Sequence, residues 1–211
     1  MLEHRFASLV FALPVFFATV AFAEAPKPLA VYEIYADAPH AQVVPSGKMG
    51  QNPGLGVAVN STAENPPPFA GDASMVSKFD TTQAWGGLAW LWQNSWGIAG
   101  QPLDLFKELK AKEGDNIRFR LQARSSKGAG VVFKFGGGDG SSMSFPKATK
   151  RIELTPEWKL IEIDLTGEDL SSLTGMVCCW TCVDRDQKPV YGKIVEFQID
   201  SVQVVKLPPM P

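Results

Sequence analysis

The chain has 211 residues, of which 45% are hydrophobic, and this length and composition suit one globular domain of moderate size. The formal net charge of −2 excludes the strongly basic surface that attracts nucleic acid or anionic lipid. Of the two histidines, His4 lies in a segment that we expect to be removed, which leaves His40 and excludes a two-histidine metal site. A serine-histidine-aspartate triad is disfavoured as well, because no nucleophile motif accompanies His40.

The N-terminus has the pattern of an export signal. Arg5 precedes an apolar run over residues 6–22, which ends in the small-x-small sequence Ala21-Phe22-Ala23. We therefore predict a signal peptide over residues 1–23 and a protein exported to the periplasm or the extracellular space. An uncleaved anchor is the alternative, but the run is shorter than the ~20 residues of a membrane span and contains Pro14. After cleavage we expect no membrane anchor.

The remaining chain predicts a β-sandwich. Residues 24–30 form a leader broken by prolines, and a loop rich in Pro, Gly, Asn and Ser covers residues 38–71. A short helix or a series of turns is expected over residues 103–115. Strands are predicted at 31–37, 72–80, 87–93, 116–125, 129–140, 150–155, 158–165, 175–181 and 193–205. Eight or nine strands at intervals of roughly ten residues indicate a two-sheet sandwich over residues 31–206, followed by a disordered tail over 207–211.

Four of the six tryptophans lie in the segment WGGLAWLWQNSWG, residues 85–97. Strand alternation puts Trp90 and Trp92 on one face, while Trp85 and Trp96 lie near strand ends. We interpret Trp90 as a core residue and Trp85, Trp92 and Trp96 as part of a binding rim, where aromatic rings stack on sugars. The alternative, in which the whole cluster belongs to the core, stays open because large aromatic side chains mostly supply burial.

Polar side chains near these rings complete the predicted sugar site. Gln93 and Asn94 follow the tryptophan strand directly, whereas Arg120 and Gln122 occupy the polar face of the strand 116–125. Amide and guanidinium groups of this kind supply the few placed hydrogen bonds that a ring-lined site needs.

A pair of acidic residues raises a hydrolase as an alternative. Glu162 and Asp164 are two apart on one strand face, and retaining glycosidases place two carboxyl groups about 5–5.5 Å apart. A third acid, Glu168, lies beyond Gly167 and is expected on a turn, away from that face. The simpler interpretation is an alternating strand whose acids face water.

Three cysteines, Cys178, Cys179 and Cys182, lie within five residues. In an oxidising compartment we expect one disulfide and one free thiol. Cys178 and Cys182 share a strand face but are too far apart to bond unless the chain bends. A three-thiolate site for a soft metal is the alternative, although such sites usually recruit a fourth ligand.

Two aspartates at the paired ends of the chain suggest a calcium site. Asp37 closes the first strand and Asp200 lies in the last, so the two come close in a sandwich whose terminal strands pair. Carboxylates combined with loop carbonyls suit Ca²⁺.

Several blocks of the chain form a recognisable set: VVPSGKMGQN, AGDASMVSKFD with WGGLAWLWQNSWG, LTPEWKLIEIDLTGEDLSSLTG and FQIDSVQV, which together run from Val43 to Val204. These blocks resemble a family of exported bacterial β-sandwich proteins that is similar to carbohydrate-binding modules of the galactose-binding-like jelly-roll fold. The resemblance implies a jelly roll with a structural calcium at Asp37 and Asp200. The chain departs from the family motif at Lys48 and Gln51, where the family has Trp and Asp.

Together these features predict a secreted, non-catalytic protein that binds a polysaccharide or a cell-surface glycan. The first alternative is a structural or assembly protein of the cell envelope with the same fold and no sugar site, which Lys48 favours. The second is a β-glucan hydrolase that uses Glu162 and Asp164. No nucleic-acid partner is expected, and protein partners are not predicted.

Overall fold

The computed structural model describes residues 26–50, 56–60, 67–82, 85–92, 101–138, 140–143 and 145–209. The predicted signal peptide lies outside these residues, as do Gln93, Asn94 and Trp96 from the predicted sugar site. In the described part of the chain, no helix is long and apolar enough to cross a membrane.

Two antiparallel sheets of six strands each form a jelly-roll β-sandwich, which confirms the predicted fold class. In the first sheet the strand order is β10-β6-β12-β4-β3, and β1 also pairs with β12. Its strands are β1 (Ala30–Tyr35), β3 (Gly56–Asn60), β4 (Ser74–Asp80), β6 (Ile117–Arg124), β10 (Lys159–Asp164) and β12 (Ile194–Lys206).

The second sheet has the order β2-β5-β11-β7-β8, and β9 pairs with β7. Its strands are β2 (Val43–Gly50), β5 (Gly86–Trp92), β7 (Ala129–Phe135), β8 (Lys147–Ala148), β9 (Ile152–Leu154) and β11 (Met176–Cys182). One short helix, α1 (Leu105–Glu108), buries Leu105 and begins at Asp104, whose side chain accepts a hydrogen bond from Lys107 N as a helix cap. This helix is the short one predicted within residues 103–115.

The alternating pattern of β6 shows why the sequence folds into two layers. Phe119 and Leu121 are fully buried between the sheets, whereas Arg118 and Gln122 lie half-buried on the outer face of the first sheet. A period of two is the side-chain period of a strand, so one face packs inward and the other meets solvent.

Aromatic rings fill the space between the sheets. Trp90 of β5 and Trp180 of β11 are fully buried, with ring centroids 5.2 Å apart in an edge-to-face arrangement. Trp90 is thus a core residue, as its strand position predicts. Pairs of this geometry contribute about 0.5–1.5 kcal/mol each beyond the burial of their area.

The three cysteines are free thiols, so the predicted disulfide is not formed. They lie on β11, which pairs with β7 without a break from Cys178 to Cys182, so these two core residues are roughly 13 Å apart at the rise of a strand. Burial raises the pKa of Cys179 to about 11 and that of Cys182 to about 12. Within the described residues, no cluster of three or more His, Cys, Asp or Glu side chains could hold a metal ion.

Candidate functional site

The structure separates the predicted sugar-binding residues into different regions. Trp85 precedes β5 and Trp92 ends it, so roughly 23 Å of strand lies between them and they cannot share one site. Arg120 and Gln122 belong to β6 in the other sheet. Of the predicted set, Trp92 therefore marks one candidate site, and the β6 residues mark a second region.

Trp92 lines a cavity of about 410 Å³, here called the end pocket, at the end of the sandwich where β5 finishes and α1 begins. Four separate parts of the chain meet there: β1 with its following turn, the end of β5, residues 101–108 around α1, and Ser171. The lining residues are Tyr32, His40, Gln42, Trp92, Gln101, Pro102, Leu103, Asp104, Lys107, Glu108 and Ser171.

Three rings form one wall of the end pocket. The centroid of His40 lies 5.2 Å from that of Tyr32 and 6.4 Å from that of Trp92, and the His40 and Trp92 rings are nearly parallel, with an interplanar angle of 16°. Trp92 donates its indole N–H to the carbonyl of Gln101 at 2.9 Å and is 7% exposed. His40 is the more exposed ring of the stack, so Trp92 supports this wall without offering an open face.

Tyr32 brings a polar group to the same wall. Its hydroxyl is buried and has no hydrogen-bond partner in the described part of the chain. Burial, and secondarily the nearby charge of Glu108, raises the pKa of Tyr32 to about 12. A buried phenol without a partner costs about 1–3 kcal/mol in the folded protein.

The rim of the end pocket is polar. Nδ1 of His40 accepts a hydrogen bond from the backbone N–H of Gln42 at 3.3 Å, which leaves Nε2 as the donor of the neutral ring. Ser171 donates its hydroxyl to Asp169 at 2.6 Å, and this hydrogen bond lowers the pKa of Asp169. A wall of rings combined with hydrogen-bonding groups at the rim is the arrangement typical of small-molecule sites.

The outer face of the first sheet carries the second set of predicted residues. Arg120 is 8% exposed and donates through Nε to Glu162 Oε1 at 2.6 Å, so its guanidinium is engaged within the protein. Arg118 forms an ion pair with Asp164, and Lys147 lies 2.5 Å from Glu168. All three acids of the hydrolase alternative therefore have cationic partners. Glu162 and Asp164 form cross-strand pairs between β10 and β6, as expected on a solvated sheet, whereas Glu168 pairs with Lys147 from the turn after β10.

Next to Gln122 lies an aromatic cluster that the sequence interpretation missed. The guanidinium of Arg124 lies 4.7 Å from the ring centroid of Trp158, and Phe69 packs edge-to-face on Trp158 at 6.0 Å. Arg124 also donates through Nε to Gln198 Oε1 at 2.8 Å. Trp158 follows Pro156 between β9 and β10, and no local pattern shows that the loop bearing Phe69 returns to cover it.

Asp200, the first predicted calcium ligand, is 1% exposed and faces backbone donors. Its Oδ2 accepts from the N–H groups of Phe69 at 2.8 Å and Ala70 at 3.3 Å, while Oδ1 accepts from Ser201 N at 2.5 Å. Burial raises the pKa of Asp200, and these hydrogen bonds oppose that shift.

Asp37, the second predicted ligand, binds the other half of the same loop. Its Oδ1 accepts from Asp72 N at 2.6 Å and from Ala73 N at 3.0 Å. Gly71, between these contacts, has a φ of +62°, and a Cβ there would lie 2.1 Å from Asp37 Oδ1. Glycine is required here because the loop passes so close to the carboxylate.

The loop over residues 69–73 is therefore clamped by two carboxylates through its N–H groups. Three of the four carboxylate oxygens accept hydrogen bonds from backbone N–H groups. A bound cation would need oxygen ligands around it in place of these N–H donors. Calcium between Asp37 and Asp200 would meet amide hydrogens at these three oxygens, so the residues present do not fit the ion in this arrangement.

A scan of protein-family models and a search of curated proteins find no match to the chain. Solved structures do match. A family 30 carbohydrate-binding module is 14% identical, with a TM-score of 0.53 over 87% of this chain and 91% of the module. The family 30 module of a cellulosomal cellulase of Clostridium thermocellum is 16% identical, with a TM-score of 0.52 over 84% of this chain and 98% of the module. The chain has the jelly-roll fold of carbohydrate-binding modules. At these identities the likeness concerns the fold, and function has to be argued from the site.

Proposed function

We propose that the protein is an exported, non-catalytic carbohydrate-binding protein that recognises a polysaccharide or glycan in the end pocket. The observation that carries the proposal is a wall of three rings, Tyr32, His40 and Trp92, in which the Tyr32 hydroxyl has no partner among the described residues. Sugars combine apolar C–H faces with hydroxyl groups, so a site with rings and an unused hydrogen-bonding group suits them. The cavity of about 410 Å³ lies in the ordinary size range of small-molecule sites.

Within this proposal each group has a defined part. His40 is half-buried and is the most accessible ring of the wall, so it is the ring that can contact a sugar, and Trp92 lies nearly parallel to it on the inner side. The exposed amides of Gln42 and Gln101 exchange hydrogen bonds with sugar hydroxyls, and Tyr32 joins them once ligand entry uncovers its buried hydroxyl. The end pocket has two carboxylates, on Asp104 and Glu108, against one ammonium, on Lys107, which favours an uncharged sugar over an acidic one.

The experiment is a glycan array followed by calorimetric titration with the best oligosaccharide. We expect His40→Ala and Tyr32→Phe to weaken binding by about tenfold or more, equivalent to about 1.4 kcal/mol. Tyr35→Phe is the matched control, because Tyr35 also has a buried hydroxyl without a described partner but does not line the pocket. Binding that survives His40→Ala unchanged would remove the end pocket from the interaction.

An array with no bound glycan would favour the envelope-protein alternative. The hydrolase alternative is disfavoured because Glu162 and Asp164 are held in ion pairs with arginines on an open sheet face. Export is part of the proposal and rests on residues 1–23 of the sequence. Mass spectrometry of the secreted protein should find Glu24 as its first residue.

A further inference from the structure

A second cavity of about 550 Å³, here called the basic groove, lies at the opposite end of the sandwich from the end pocket. Cys182, at the end of β11, lies in its floor, whereas the first residues of β11 adjoin Trp92 at the other end. Six charged side chains line the groove. Four are cationic, Lys127, Arg151, Arg185 and Lys193, and two are acidic, Asp184 and Glu196.

Some of these charged side chains already form hydrogen bonds and an ion pair within the protein. Arg151 donates through Nε to the carbonyl of Val183 at 3.1 Å and forms an ion pair with Glu153. Asp184 Oδ1 accepts backbone N–H groups of the following turn at 2.9 Å. The groove walls are thus fixed by their own hydrogen bonds, before any ligand arrives.

Other cations in the groove form no ion pair with the residues that the structure describes. In the described part of the chain, Lys127, Arg185 and Lys193 have no carboxylate within ion-pair distance of their side chains. Beside them, Tyr191 and Ile194 are 60% and 58% exposed. In a protein with a net charge of −2, this concentration of positive charge is local to one end of the molecule.

A smaller cavity of about 80 Å³ adjoins the basic groove and shares Glu196 with it. Arg124 lines this cavity, and its Nη2 atom is buried without a partner in the described residues. The Arg124 side chain is held by Gln198 and by the ring of Trp158. This guanidinium adds a positioned positive charge next to the basic groove.

We propose that the basic groove binds a carboxylated polysaccharide, with Lys127, Arg185 and Lys193 facing its carboxylates, Arg124 adding positive charge from the adjoining cavity, and Tyr191 stacking on a sugar ring. Cations alone would suit any anion, but the exposed ring beside them favours a sugar acid. A nucleic acid is less well matched, because its affinity depends on a broad positive surface that neutralises many phosphates. This inference does not depend on the end pocket.

Polygalacturonate and its fully methyl-esterified form are a suitable pair of probes, because they share a backbone and differ in charge. We expect the acid form to bind, to weaken as salt is raised, and to bind at least about tenfold more tightly than the ester. Equal binding of the two forms would overturn the proposal. Equally tight binding of an oligonucleotide with the same number of charges would also overturn it, since the groove would then be a site for anions in general.

Substitutions then locate the site. The triple variant Lys127→Ala, Arg185→Ala, Lys193→Ala should lose at least about tenfold in affinity for polygalacturonate. The control variant Lys110→Ala, Lys112→Ala removes exposed lysines at the other end of the molecule and should bind as the unmodified protein does. Comparable losses in both variants would contradict the groove as the site. Tyr32→Phe, which tests the end pocket, should leave this binding unchanged, so the two proposals fail separately.

Discussion

Trp180 and Ser77 join the two sheets by a buried hydrogen bond. The indole N–H of Trp180 in β11 donates to the hydroxyl of Ser77 in β4 at 2.9 Å, and both side chains are fully buried. The bond gives the sandwich interior a specific polar contact among rings that otherwise pack without direction.

Ser77→Ala would leave this indole N–H buried without an acceptor. We expect a loss of about 1–3 kcal/mol in the free energy of unfolding, measured by urea denaturation. Ser126→Ala, on an exposed serine, is the control and should change stability by less than about 0.5 kcal/mol. Equal stabilities for the two variants would show that the cross-sheet bond contributes nothing net.

Tyr32→Phe and Tyr35→Phe both remove a buried hydroxyl that has no described partner. We expect each variant to be more stable than the unmodified protein at pH 7, by about 1 kcal/mol, because the unpaired group costs free energy in the folded state. Thermal unfolding measures this effect. Tyr32 would be marked as a functional residue if Tyr32→Phe gained stability and lost glycan affinity while Tyr35→Phe gained stability alone. A loss of stability in both variants would indicate that the hydroxyls are paired.

Alkaline pH should destabilise the fold through Tyr32. The phenol ionises near pH 10 in the unfolded chain but has a pKa of about 12 in the folded protein, so the folded state keeps its proton longer. The contribution of Tyr32 to the free energy of unfolding is therefore fully present below pH 10. It falls as the pH rises from there to about 12, and the loss is roughly 1–2 kcal/mol at pH 11. Comparing unfolding of the protein and of Tyr32→Phe at pH 8 and pH 11 isolates this contribution, because all other groups cancel. A difference between them that does not grow with pH would contradict the prediction.

Removal of calcium should leave stability unchanged, because amide donors already occupy the carboxylates of Asp37 and Asp200. A bound ion at about 100 times its dissociation constant would add about 2.7 kcal/mol and raise the melting temperature by several degrees. The measurement is thermal unfolding with millimolar calcium and with a chelator. A higher melting temperature with calcium would show that the loop over residues 69–73 rearranges to admit the ion.

The cysteines should be unreactive in the folded protein. All three thiols are buried, and burial raises the pKa of Cys179 to about 11 and that of Cys182 to about 12, so little thiolate exists at neutral pH. A chromogenic disulfide reagent should label none of them in buffer and all three in denaturant. Rapid labelling of the native protein would mean that β11 is more accessible than its packing indicates.

The sequence alone predicts the two-sheet architecture because strand alternation is a local signal. The polar and apolar faces of β6 follow directly from residues 116–125, and the burial of Trp90 follows from its position in β5. The pairing of the terminal strands likewise brings Asp37 and Asp200 to one loop, as their positions suggest.

The sites are harder to predict because they depend on contacts between distant residues. Tyr32, His40 and Trp92 meet only after β1 and β5 have taken their places in different sheets, and no motif links them. Strand parity groups Trp92 with Trp90, but it does not reveal that His40 covers the ring. The expected disulfide is wrong for a related reason: spacing in sequence does not show that β11 stays straight through Cys178 and Cys182.

The strands β5 and β11 run the length of the sandwich between its two cavities, and a seven-residue strand spans roughly 23 Å. Rigid hydrogen-bonded ladders fix that span. With both cavities filled, a neutral polysaccharide at one end and an acidic polysaccharide at the other would be held at a constant spacing. The molecule would then act as a cross-link in a polymer network, and its mechanical stiffness would matter as much as its affinity.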